Sequence, residues 1–150
     1  MKTLEQELQT SFKNDFLKTR LNIHFTHNFL GNITQDLFKK YGLSPTQFNV
    51  LRILRGQHPK MANIGLIKER LIDRSSDVSR IVDRLVAKDL IHRSECPNDR
   101  RQKDVMISDK GLDLLSKMDS CEQQLDAKLQ HLTPTELSQL NLILDKLRNQ

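Results

Sequence analysis

The 150-residue chain predicts a mainly α-helical domain carrying one small β-ribbon, and three observations lead there. Apolar residues recur at intervals of three and four along most of its length, the period of helices buried on one side. The stretches "SPTQ" and "TPTE" each place Ser or Thr, then Pro, then Gln or Glu in the order that opens a helix. Short apolar runs around Ile91 and Val105 enclose the polar stretch "ECPNDRRQK", which reads as two strands joined by a turn. The length suits one domain, residues 1–150, able to bury a core.

Residues 4–40 read as helix through Leu4, Leu8, Phe12, Phe16, Ile23, Leu30, Ile33 and Leu37, with Gly31 a point for a bend. Gly42 is a C-cap candidate. Ser44 caps the next helix, Pro45 takes its first position and Gln47 closes a capping box. That helix runs to about Arg55 and buries Phe48, Leu51 and Leu54. "GQHPK" is a loop, and Ala62–Ile72 a short helix weakened by Gly65. From Ser76 to Lys88 the apolar positions are Val78, Ile81, Val82, Leu85 and Val86, one helical stripe. Strands follow at Ile91–Glu95 and Lys103–Ser108. Ser108 or Asp109 caps a helix to about Gln130, and Thr133, Pro134 and Glu136 open the last one, through Leu137, Leu140, Leu144 and Leu147.

Hydrophobic content of 37% against 29% charged fits a globular chain and excludes a disordered one. No run approaches the roughly 20 apolar residues of a membrane helix, and the polar opening "MKTLEQELQTSFKNDF" does not resemble a signal peptide. Two cysteines, Cys96 and Cys121, make no disulfide framework and no zinc motif, so a reduced cytoplasmic setting is expected. The net charge of +5 is concentrated: residues 41–110 hold fourteen Lys/Arg against nine Asp/Glu, while the two flanks cancel. A basic centre between neutral helical flanks fits a polyanionic partner.

The 76–88 helix turns Ser76, Arg80, Asp83, Arg84 and Ala87 away from its apolar stripe. Small hydrogen-bonding side chains with one long basic arm suit a helix that enters a DNA major groove. With the helix before it, joined through "DRS", it forms a helix-turn-helix. The turn at Pro97 and Asn98 then carries Asp99, Arg100, Arg101 and Lys103 to the end of a ribbon, a wing able to reach phosphates and the minor groove. Asp99, two residues from Arg101, can hold that guanidinium in one pose. The DNA-binding set is therefore Ser75, Ser76, Asp77, Ser79, Arg80, Arg84, Asp99, Arg100, Arg101 and Lys103.

"YGLSPTQFNVLRIL", "DVSRIVDRLVAKDLIHR" and "PNDRRQKDVMISDKG" together resemble MarR-family winged helix-turn-helix transcriptional regulators over roughly residues 41–118. Their order and spacing carry the resemblance. Asp89 stands where that family usually has Gly, and Asp tolerates the left-handed backbone at some cost. The resemblance implies a winged-helix region at 41–108 flanked by dimerisation helices at 1–40 and 109–150. It also implies a homodimer on a pseudo-palindromic double-stranded operator, acting as a repressor released by an effector. The long Leu/Phe/Ile stripes of the first and last helices independently call for a partner chain. A pocket for a small aromatic or anionic effector is expected where the first helix crosses the one starting at Ser44, at His24, His27, Phe48 and Arg52.

Other chemistries fit less well. His24 and His27 lie one turn apart without a matching Cys or acidic cluster, so no metal and no cofactor is expected. Cys121 reads as a small core residue, and whether it or Cys96 has a redox role stays open. No glycine-rich phosphate loop, acid/base pair or nucleophile elbow points to an enzyme. A winged helix serving only as a protein-interaction module would show apolar anchors on the outward face of the 76–88 helix, where this one shows Ser, Arg and Asp. A DNA architectural protein without sequence preference would need a far larger basic excess.

Overall fold

The computed structural model describes residues 2–96 and 99–149, with the backbone alone for residues 95–96 and 99–103. The chain opens with α1 (Leu4–Leu8) and α2 (Asp15–Lys39). One continuous helix over 4–40 is therefore corrected to two. Gln9 takes a left-handed conformation at φ 49°, residues 10–14 leave the helix, and Asn14 restarts it by accepting from the Leu17 amide at 2.9 Å. An Asn cap is a strong start signal, but an unbroken apolar period hides it. Gly31 lies inside α2 without interrupting it.

Gly42, at φ +67°, reverses the chain after α2, a conformation that costs glycine nothing. α3 (Pro45–Gln57) begins with the capping box read from the sequence, Ser44 and Gln47 serving each other's backbone at 3.2 and 3.0 Å. Next come β1 (Ala62–Asn63), α4 (Ile64–Arg70) and α5 (Val78–Val86). β2 (Ile91–Cys96) and β3 (Asp99–Ile107) lead into α6 (Asp109–Asp126) and α7 (Pro134–Arg148).

The helix expected from Ala62 thus starts later. Asn63 caps α4 by accepting from Leu66 N at 2.8 Å, so the residues before it stay extended. Ala62 and Asn63 pair with Val105 and Asp104, and the ribbon becomes a three-stranded antiparallel sheet in the order β1-β3-β2. α5 begins at Val78 because the Asp77 carboxylate caps it, accepting from Arg80 N at 3.2 Å. Val105 faces the core and is fully buried. α6 stops at Asp126, short of the expected Gln130.

One core joins these elements. Leu51 and Leu54 of α3, Ile67 of α4, Val82 and Leu85 of α5, Ile91, Val105 and Ile107 of the sheet, and Leu115 and Met118 of α6 are all buried in it. Cys121 belongs to the same core, and Phe38 closes its upper edge against Phe48, their rings 4.3 Å apart. None of α7 is buried, and its Leu142 and Ile143 face outward.

The exit from α5 is tied to the entry of α6. Asp89 takes the left-handed conformation at φ 59°, the one expected where Gly is more usual. Ser108 then bonds in both directions: its Oγ donates to Asp89 O at 2.7 Å and accepts from Gly111 N at 3.0 Å. Its amide donates to Leu90 O at 3.1 Å, extending the Ile91–Ile107 pairing by one rung. A Cβ on Gly111 would stand 2.3 Å from Leu90 O and 2.7 Å from Ile107 Cγ1. Gly111→Ala must push backbone apart and should lower stability by about 1–3 kcal/mol, the range for overpacked cores. Urea unfolding checks it; an unchanged midpoint would show that the junction yields freely.

Candidate nucleic-acid interface

The surface around the start of α5 is built by four carboxylates with structural partners. Asp73 organises the turn before the helix, accepting from the Ser75 amide at 3.0 Å, the Ser75 hydroxyl at 2.6 Å and the Ser76 hydroxyl at 2.7 Å. These bonds, those from Ser75 and Ser76 side chains first, hold its carboxyl below the usual carboxylate range. The turn is anchored to the core by Asn49, which is buried and accepts from Ile72 N at 3.0 Å.

Asp77 caps α5 and also lies 3.6 Å from Arg80 Nε. Asp83, six residues further, accepts from Arg93 Nη1 of β2 at 2.7 Å. Asp89 receives Lys110 Nζ at 3.5 Å, and the same ammonium donates to Lys88 O at 2.9 Å. Carboxylates therefore hold the local geometry while Arg80 and Arg84 between them stay at the surface. Arg80 is 80% exposed, and Ser79 and Arg84 are exposed beside it. The opposite face of α5, Val78, Val82 and Leu85, is buried.

Of the residues read from the sequence, Ser79, Arg80 and Arg84 sit on the exposed face of α5, with Asp77 at its cap. Ser75 and Ser76 lie in the turn ahead of the helix, not on it, because their hydroxyls bind Asp73. The backbone of Asp99, Arg100, Arg101 and Lys103 is strand β3, pairing back to β2 from Asp99 opposite Cys96. Their side chains, the Cys96 side chain and the turn expected at Pro97 and Asn98 lie outside the described residues. Sequence reading missed Asp73 and Arg93. "DRS" followed by Ser is an Asx-turn signal for the first; nothing in the spacing links Asp83 to Arg93.

The four residues expected to line an effector pocket do not meet within the chain. Phe48 is in the core, Arg52 pairs with Glu122 across α6 at 3.2 Å, and His24 and His27 are exposed on α2. His24 precedes Phe38, where α2 meets α3, by fourteen residues, about 21 Å of helix at 1.5 Å per residue. A different cleft, of about 540 Å³, lies where the α2–α3 turn, the end of α5 and α6 meet. Tyr41, Lys88, Leu90, Lys110, Asp113, Leu114 and Lys117 line it. Among the described residues no group of three or more His, Cys, Asp or Glu gathers as a metal site, and no helix is long and apolar enough to cross a membrane.

This arrangement of helices and sheet matches known proteins. The MarR family model covers residues 43–103, from the residue before the α3 cap into the ribbon. Over 110 residues the chain is 32% identical to the uncharacterized HTH-type transcriptional regulator YkoM of Bacillus subtilis strain 168, covering 72% of this chain and 70% of that one. The chain belongs to the MarR family. Another B. subtilis relative, the HTH-type transcriptional regulator MhqR, is 37% identical over 79 residues, about half of each protein (51% and 52%). In three dimensions a mutant MarR from E. coli, solved in complex with operator DNA, aligns with a TM-score of 0.77 at 23% identity, over 92% of this chain and 99% of that one.

As a MarR-family protein the chain is a winged-helix, DNA-binding transcriptional regulator and not an enzyme. For such a regulator the exposed guanidinium of Arg80 is the long donor nearest the start of α5. Arg80→Ala should weaken binding to the preferred duplex by about 1–3 kcal/mol, the range for a side chain that contacts base edges. Fluorescence anisotropy checks this, with circular dichroism to confirm the fold; equal affinity for preferred and random duplexes before and after the change would move the contact elsewhere.

Proposed function

We propose that the protein is a homodimeric, sequence-specific regulator, a repressor, acting in the cytoplasm on a pseudo-palindromic operator. α5 enters the major groove and the tip of the β2–β3 ribbon reaches the adjacent minor groove. The observation that carries this reading is the outward face of α5, where Ser79, Arg80 and Arg84 are exposed at a helix whose other side packs on the core through buried Val78, Val82 and Leu85. A protein-interaction module would present apolar anchors on that face. The E. coli MarR mutant, a protein of like fold, was solved with operator DNA, which supports duplex DNA as the partner.

In this reading residues 41–108 form the DNA-binding region, and 1–40 and 109–150 bring two copies together. Support comes from apolar side chains left in water on those segments: Phe16 at 87%, Phe29 at 54% and Ile143 at 63% exposure, with no residue of α7 buried. Apolar surface on helices at both ends of a chain is economically covered by a second copy. At the ribbon tip, Asp99 would pin Arg101 in a pose ready for a phosphate, so that Asp99→Ala loosens operator binding although it removes a negative charge. Tighter binding by that variant across a salt series would refute the pinning.

Release by a small aromatic or anionic effector belongs to the same proposal. The 540 Å³ cleft suits it better than His24, His27, Phe48 and Arg52 do, because Tyr41, Leu90 and Leu114 offer apolar surface beside Lys88, Lys110 and Lys117. Selecting duplexes from a random pool tests the core of the reading: a palindrome-like consensus is expected, and light scattering of the free protein should give twice 17.5 kDa. A monomer, or a pool that never departs from random, would overturn it. Small aromatic carboxylates added to the selected complex should weaken it, and a panel without effect on affinity or thermal stability would remove the effector.

A further inference from the structure

We infer that the ion pair between Asp83 and Arg93 is a positioning device for sequence-specific binding: it locks the first strand of the ribbon onto the flank of the recognition helix. Asp83 lies in the middle of α5, and Arg93 is the third residue of β2. Arg93 Nη1 donates to Asp83 Oδ1 at 2.7 Å, a charge-assisted bond between two elements that also share the apolar core and the short turn at 87–90. Side chains alternate along a strand, so Arg93 falls on the same face of β2 as Ile91, which is buried beside α5. The arginine stem is thus largely covered, its side chain 28% exposed against 59% for Asp83.

The placement of the acid is the telling feature. Asp83 is on a helix that, in the function proposed above, approaches a polyanion, where an uncompensated carboxylate repels phosphates. Its contact is neither a cap nor a bond to its own helix. It reaches instead to the strand that carries the ribbon toward the second groove. The distance between the base-reading end of α5 and the ribbon tip is set by how β2 leaves the helix. A pair at the third residue of that strand fixes the angle close to its root, where a small rotation moves the tip farthest. Docking into two grooves at once gains from such preorganisation, and contact with one stretch of backbone does not.

The inference rests on the two-groove reading, and the test separates the two. Binding of full-length Asp83→Asn, Asp83→Glu, Arg93→Gln and the Asp83→Asn/Arg93→Gln double variant is measured on a duplex selected by the wild type and on a random duplex of equal length. Asp83→Asn should lose about three- to tenfold on the selected duplex, the span of an exposed to half-buried pair, while its affinity for random DNA holds or rises. Asp83→Glu, which keeps the carboxylate, should stay within about twofold of wild type, and the double variant should lose no more than either single one. A pure charge effect instead tightens both duplexes, a pure folding defect weakens both and lowers the melting temperature, and additive losses mean the residues act separately; each overturns the inference. Arg80→Ala serves as the control. If it leaves the selected duplex bound as before, the two-groove reading fails, and the inference with it. If it weakens binding while Asp83→Asn leaves the ratio of the two affinities unchanged, only the positioning role is refuted.

Discussion

The close approach of Gly111 to Leu90 is the constraint on which the rest of the structure depends. At that point the end of α5, the first rung of the β2–β3 pairing and the first turn of α6 occupy almost the same space, which only a residue without a Cβ allows. Ser108 completes the join, because one hydroxyl serves the Asp89 carbonyl and the Gly111 amide while its own amide serves Leu90. The recognition helix is therefore referenced to α6 and to the sheet at once. Asp89 accepts a left-handed backbone to make the reversal, and Lys110 steadies the turn through the Lys88 carbonyl.

Acidic residues do the geometric work in the basic part of the chain. Asp73 shapes the turn before α5, Asp77 caps it, Asp83 ties it to β2 and Asp89 closes it. Each is exposed and would be an odd choice on charge alone for a protein that meets DNA. Each instead satisfies hydroxyls, amides or a cation that would otherwise wander, and exposed pairs of this kind matter more for shape than for stability. Arg80 and Arg84 are left at the surface, Arg80 with the Asp77 carboxylate beside it.

Much of this was legible in the sequence, and what was not has physical reasons. The capping boxes at Ser44 and Thr133 are local, with donor and acceptor three residues apart, and both formed as read. The apolar stripe of α5 is likewise a short-range fact, whereas the left-handed turn at Asp89 was expected through the family resemblance. The break at residues 9–14 was missed because apolar spacing carries through a gap of about one and two-thirds turns, so period alone cannot see it. β1 was missed because two residues have no period; Ala62 and Asn63 are a strand only because β3 lies beside them. The expected pocket drew its residues from sequence neighbourhoods that the fold separates, placing Phe48 in the core and His24 well along α2. The Asp83–Arg93 pair escaped for the converse reason, since residues ten apart in sequence, across helix, turn and strand, meet only in three dimensions.

The contact between α3 and α6 has a consequence for how this protein is measured. Beside the shared apolar core, its rim is held by two arginines of α3, Arg52 on Glu122 and Arg55 on Asp119, all of them at least partly open to solvent. Mobile ions weaken such rim pairs over the same concentration range in which they displace cations condensed on a duplex. Titrating salt against DNA affinity therefore reads two processes on one axis: the release of ions from the nucleic acid, and a softening of the joint between the reading head and the helix behind it. A slope converted directly into phosphates would credit the DNA with ions that belong to the protein. The same titration followed without DNA, by the melting of the free chain, supplies the part to subtract.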